Sequence, residues 1–124
     1  MNWPALVIVS AAMLGLLLWK RASLVSSGTA RQLLQEGALV IDVRTPGEFS
    51  SGHLAAAVNI PLGDLRTDIP RHVPDKNQVL LLHCLSGGRS AIAQHQLKRM
   101  GYTKVSNLGS YRRAAAIVSS AGTE

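Results

Sequence analysis

The chain has 124 residues, 47% of them hydrophobic and 4% aromatic, enough for one domain with a real core and no more. Its single cysteine excludes an internal disulfide framework and a cysteine-rich zinc site. The net charge of +6 favours anionic small molecules or an anionic membrane surface, and with only Phe49, Tyr102 and Tyr111 aromatic beyond residue 19 no nucleic-acid partner is expected.

The N-terminus is the most apolar part. Residues 4–19 carry no charge, and with Trp3 they make a run of 17 residues. As a helix rising about 1.5 Å per residue, such a run covers roughly 25 Å, the lower edge of a bilayer span. Trp3 and Trp19 stand at its two ends, where interfacial tryptophans belong, and Lys20-Arg21 follows. The reading is an uncleaved anchor over residues 1–22 that holds residues 3–19 in a lipid bilayer. The charge bias then puts the catalytic domain, residues 23–124, on the cytoplasmic side of the cell membrane. A cleaved signal peptide is the rival. Such peptides carry basic residues before the apolar run, and Met1-Asn2 has none.

Beyond the connector Ala22–Ser27, with a short strand at Leu24-Val25, Thr29 caps a helix over 30–36 that stops at Gly37. The continuous apolar run 38–43 predicts a buried parallel strand, ending in Asp42-Val43-Arg44. Pro46 starts a short helix through Phe49. Residues 57–60 predict a strand that Pro61 terminates, then a turn of helix over 62–68 and a polar loop over 69–78. Val79–Leu82 reads as a strand, 91–100 as a helix, 104–108 as a strand and 111–119 as a last helix. The alternation predicts an α/β domain with a parallel sheet covered on both faces. Sites in such sheets form at the carboxyl ends of strands, where Asp42, Arg44, His83 and Cys84 all fall.

The lone cysteine sits in His83-Cys84-Leu85-Ser86-Gly87-Gly88-Arg89-Ser90, between a strand and a helix. Glycines let successive backbone N–H groups converge on one point, and the helix N-terminus adds partial positive charge. Arg89 adds a full charge. A thiol in that field loses its proton more readily, so the stretch predicts a reactive thiolate that meets an anionic substrate. Cys84 is the expected nucleophile, with Leu85, Ser86, Gly87, Gly88, Arg89 and Ser90 as the binding loop. With no second thiol in the chain, any acceptor must come from outside.

Three segments resemble the rhodanese-like sulfurtransferases: residues 40–49, residues 52–62, and the Cys84–Ser90 loop with the ending Gly101-Tyr102, Val105, Asn107-Leu108. The resemblance covers roughly residues 24–120 and implies a mainly parallel, five-stranded sheet flanked by helices. It implies that Cys84 attacks the outer sulfur of thiosulfate or a similar donor, carries a persulfide, and hands the sulfur to cyanide, an external thiol or a sulfur-acceptor protein. Asp42 and Arg44 are then loop supports. The chain departs from the family at Leu108–Arg113, which lacks the tryptophan often found near the last helix.

Two other functions fit a cysteine loop. A phosphatase of related fold places five residues between cysteine and arginine; here four stand between Cys84 and Arg89, a smaller cradle than a phosphoryl group needs. A non-turnover sulfur carrier or docking module at the membrane would keep the loop without releasing product to a small acceptor. His83 is read as packing or loop support, since neighbouring residues at a strand end point to opposite sides. His53, His72 and His95 fall in separate elements, so no metal is expected, and no organic cofactor. Lys98-Arg99 and Arg112-Arg113 read as solvated or membrane-facing surface.

Overall fold

The structure, a computed structural model, describes residues 2–122. Its sheet is built from β1 (Leu39–Asp42), β2 (Val58–Asn59), β3 (Leu80–His83) and β4 (Val105–Gly109), in the order β2-β1-β3-β4. Every pairing is parallel. The helices are α1 (Trp3–Ala22), α2 (Ser27–Gln35), α3 (Pro46–Ser51), α4 (Leu65–His72), α5 (Gly88–Arg99) and α6 (Tyr111–Ala121), with a 3-10 turn at Leu62–Asp64.

Successive strand residues face opposite layers, as the two-residue period demands. Val40, Leu81 and Leu108 pack against Ala30 of α2 and Ala114 and Ile117 of α6. Ile41, Leu80 and Leu82 pack on the other face, with Leu65 and Ile69 of α4 and Ala93 and Leu97 of α5. All four residues of β3 are buried, so the central strand reads as an unbroken apolar run up to His83.

The sheet has four strands among the described residues, not the expected five. Leu24 contributes only an isolated parallel bridge to Asn107, and the Val25 N–H donates to the Asn107 carbonyl at 3.0 Å. The reason is length. Only Ser23–Ser26 separate α1 from α2, and both ends of that link serve helices. Ser23 Oγ donates to the Lys20 carbonyl, and Ser26 Oγ accepts from the Thr29 N–H. Ser26 therefore caps α2, three residues before the expected cap at Thr29.

Two other boundaries differ by more than two residues. The polar loop expected from Ile69 starts later, because α4 continues through Pro70 to His72. Pro70 lies one turn into the helix, so its ring removes only the bond to the Arg66 carbonyl. Burial of Leu65 and Ile69 holds the turn in place. Helix α5 starts at Gly88 rather than Ala91. Gly87 takes a left-handed conformation (φ +98°), which swings the chain into the helix at the next residue. That early start brings the first N–H groups of α5 up to Cys84.

No residue of α1 is buried. Pro4 begins the helix, and Lys20 and Arg21 occupy its last turn, the favourable end for cations. It is the one described helix long and apolar enough to cross a membrane.

Candidate active site

The chain runs from β1 outward to β2, then returns past β1 to β3, so the strand order reverses between β1 and β3. A crevice opens at the carboxyl ends of strands at such a point. Register places Asp42 of β1 opposite His83 of β3, and Cys84 is the next residue. A shift between Leu82 and His83 sets His83 against Gly109, and Cys84 N–H donates to the Gly109 carbonyl at 3.2 Å. The cysteine is thus pinned by its own backbone before its side chain does anything.

Cys84 is 1% exposed. The Gly87 N–H donates to Sγ at 2.9 Å, and the Ser90 hydroxyl lies 3.5 Å from the same sulfur. Burial pushes the Cys84 thiol up. The Ser90 hydroxyl and the N–H groups of Ser90, Gly87 and Ser86 more than offset it, leaving the thiol below its ordinary value. Leu85 and Ser86 are exposed and form the outer rim, and the Leu85 carbonyl accepts from the Tyr111 N–H at 3.1 Å.

Beneath the loop, Asp42 and Arg44 form a buried pair. Arg44 Nε lies 3.0 Å from both carboxylate oxygens and Nη2 lies 2.7 Å from Oδ2. Arg44 also donates from its backbone N–H to Asp42 Oδ1 at 2.9 Å and from Nη2 to the Gly52 carbonyl at 2.8 Å. Asn59 joins the same corner, donating to the carbonyls of Asp42 and Arg44 at 3.0 Å each. The Arg44 guanidinium sits 4.7 Å from the centre of the Tyr111 ring, the aromatic that α6 brings to the site. These contacts tie β1, β2, α3 and α6 together; neither Asp42 nor Arg44 bonds Sγ.

His83 is fully buried beside the pair. Its Nδ1 lies 3.2 Å from the Cys84 carbonyl, an acceptor, so that nitrogen carries the proton. Nε2 lies 3.7 Å from Asp42 Oδ2 with no hydrogen-bond partner. Burial holds the imidazole below its ordinary pKa, against the pull of Asp42, so it stays neutral at pH 7. It makes no bond to Sγ; its hydrogen bond goes to the backbone of the loop at Cys84.

Arg89 is not a free charge over the loop. Its Nη1 and Nη2 meet Glu48 Oε1 and Oε2 at 2.6 and 2.9 Å, a bidentate pair about one third exposed.

Residues 26–114 match the model of the family described as the rhodanese-like domain. The chain belongs to that family. Thiosulfate sulfurtransferase PspE of Escherichia coli is 40% identical over 75 residues, 60% of this chain and 72% of that protein. A rhodanese from E. coli solved with anions is 38% identical, with a TM-score of 0.60 over 62% of this chain and 91% of that one. The human single-domain sulfurtransferase TSTD1 is 29% identical, with a TM-score of 0.66 over 76% of this chain and 96% of that one.

Within this rhodanese-like domain, the loop from Cys84 to Ser90 and the Asp42–Arg44 pair lie side by side at the carboxyl ends of β1 and β3. Three contributors carried no clear signal in the sequence. In the sequence Glu48 is only a residue of the short helix that Pro46 starts. Asn107, a fully buried polar residue in β4, donates toward the Gly87 carbonyl (3.4 Å) and Ser23 Oγ (3.1 Å) and accepts from the Gly109 N–H (2.9 Å). A polar side chain inside an apolar strand was the available hint. Lys20, at the end of α1, lays its stem over the loop: a Cβ at Gly87 would stand 3.3 Å from Lys20 Cε. Of the basic pairs, Lys98, Arg99 and Arg112 are exposed, but Arg113 donates to the carbonyls of Leu108 and Val25 and staples α6 to the link before α2.

Proposed function

We propose that this protein is a membrane-anchored sulfurtransferase that moves sulfane sulfur from thiosulfate or a similar anionic donor to a thiol or cyanide. One observation carries the reading: the buried Cys84 Sγ receives the Gly87 N–H at 2.9 Å, inside a loop that also holds its pKa down. The Cys84 thiolate attacks the outer sulfur of thiosulfate. The new S–S bond forms as the old one breaks, and sulfite leaves with the bonding pair. Cys84 then carries a persulfide anion, on which the N–H groups that held the thiolate can act. An external thiolate or cyanide attacks the terminal sulfur, releasing a new persulfide or thiocyanate and returning the Cys84 thiolate. No proton has to move in either step, which suits a site where neutral His83 makes no bond to the sulfur.

Helix α1 is the proposed anchor, held in lipid through residues 3–19 with the domain on the cytoplasmic side. Its support is the absence of burial along the helix and the placement of Lys20 and Arg21 at its domain end. The physiological acceptor is an external thiol or a sulfur-accepting protein, since Cys84 has no second thiol in the chain.

The test is thiosulfate:cyanide sulfurtransfer by the full chain in detergent, with Cys84→Ser as control and mass spectrometry of Cys84. Turnover that vanishes in the variant supports the enzyme. A one-sulfur mass gain without turnover on any small acceptor supports the carrier. Hydrolysis of phosphate esters without either signal overturns the proposal.

A further inference from the structure

Glu48 holds two positions at once. As the third residue of α3 it closes a capping box: Oε1 accepts from the Thr45 N–H at 3.1 Å and lies 3.2 Å from Thr45 Oγ1, while the Glu48 N–H donates back to that hydroxyl. The same carboxylate grips Arg89 through both oxygens. Thr45 and Arg89 thus hold the carboxylate together. Arg89 holds it well below the usual carboxylate range, at about 2, so it is ionised at neutral pH.

The consequence concerns the charge that an incoming donor meets. Arg89 is the cation of the cysteine loop, and a permanent anion is already seated on it. A donor that uses this guanidinium must share it with Glu48 or displace it. It also approaches an Arg89–Glu48 pair whose net charge is near zero rather than +1, beside the Lys20 stem and above a thiolate of charge −1. Coulomb energy scales with the donor's charge, so this arrangement disfavours a dianion about twice as strongly as a monoanion.

Resting on the sulfurtransferase reading above, we infer that Glu48 is the specificity residue that sets how strongly the site discriminates among sulfur donors by charge, acting through Arg89. It weakens capture of dianionic thiosulfate relative to singly charged sulfane donors such as thiosulfonates and alkyl persulfides.

The experiment compares two donors that share the outer sulfur and a sulfonyl group but differ by one charge, thiosulfate and methanethiosulfonate. With the second, the Cys84 thiolate takes the outer sulfur and methanesulfinate leaves, so charge and atoms balance. The readout is the rate of persulfide formation on Cys84 in the full chain, followed by mass, as a function of donor concentration. Glu48→Gln keeps a capping side chain and a hydrogen-bond acceptor for Arg89 while removing the charge. It should raise the thiosulfate rate at low concentration about fivefold and the methanethiosulfonate rate about twofold, chiefly through half-saturation. Glu36→Gln removes the same charge at the opposite end of the sheet, just past α2, and should leave the ratio unchanged.

A second measurement needs no sulfur transfer. Alkylation of Cys84 by neutral iodoacetamide across pH should show its midpoint lower in Glu48→Gln, because Arg89 is then an uncancelled cation near the thiolate. A Glu48→Gln protein that loads normally, with the wild-type donor ratio and alkylation midpoint, overturns the inference and leaves the function standing. Wild-type protein that loads from neither donor overturns the functional reading and the donor selectivity with it.

Discussion

Gly87 and Cys84 form a closed local unit: the glycine N–H donates to the sulfur three residues back at 2.9 Å, and Gly87 then opens helix α5 from a left-handed conformation. The conformation that aims the N–H is one an L-residue rarely adopts, and a Cβ there would lie 3.3 Å from Lys20 Cε and 3.4 Å from Gly109 Cα. The lysine can give way; the backbone of Gly109 cannot easily do so. Gly87→Ala is therefore expected to cost about 1–2 kcal/mol in chemical denaturation. It should also raise the thiol midpoint in alkylation, as the loop relaxes and the N–H turns away.

Ser90 separates packing from electrostatics. Its single hydroxyl proton can be donated to Sγ at 3.5 Å or to the Gly87 carbonyl at 3.1 Å, and a thiolate draws it to the sulfur. Ser90→Ala leaves the helix intact and takes away the largest influence that lowers the thiol pKa. Iodoacetamide reactivity at pH 7 should fall several-fold and recover only as the pH rises, because the ionisation midpoint moves up. An unchanged pH profile would show that the backbone N–H groups alone hold the thiolate.

The Asp42–Arg44 pair is a buried ion pair that makes no bond to Sγ. With side-chain exposures of 0% and 6%, removing one partner strands a buried charge. Arg44→Met should cost about 3–5 kcal/mol, whereas replacing both partners with apolar residues should cost less. Urea unfolding of the two variants decides it. Whatever fraction remains folded in the double variant should still form a persulfide on Cys84, because neither residue touches the sulfur.

His83 makes stability depend on pH in one direction. Its folded pKa lies below the ordinary 6.5, owing to burial, with Arg44 adding to the effect and Asp42 opposing it. The unfolded chain therefore takes up a proton that the folded chain refuses. Stability is full above pH 6.5 and falls as pH drops from there toward the folded value, by at most about 1.4 kcal/mol per pH unit. Thermal denaturation between pH 7.5 and 5.5 should show the decline, and His83→Asn should flatten it. Glu48 does not contribute in this window: its folded pKa is also lowered, so its share is lost only as pH falls below about 4.5 toward 2.

Much of this protein is a local matter and was readable from the chain. Apolar runs bounded by turn residues marked β1 and β3, and Pro46 marked the start of α3, because burial and the fixed φ of proline act within a few residues. The cysteine loop was legible for the same reason: glycines, a helix start and a thiol lie within eight positions, so their chemistry follows from sequence distance alone. What depends on distant segments was not. The Leu24 stretch has strand-forming residues, yet the short link between α1 and α2 leaves it a single bridge. Arg89 is a positive charge in the sequence and one half of an ion pair in the fold, because Glu48 reaches it from 41 positions away. Lys20 touches the loop only because the link after α1 doubles back along β4. Sequence determined which groups the site contains, through short-range geometry. Tertiary structure decided which of their charges remain uncancelled, because Coulomb interactions depend on distance in space and not along the chain.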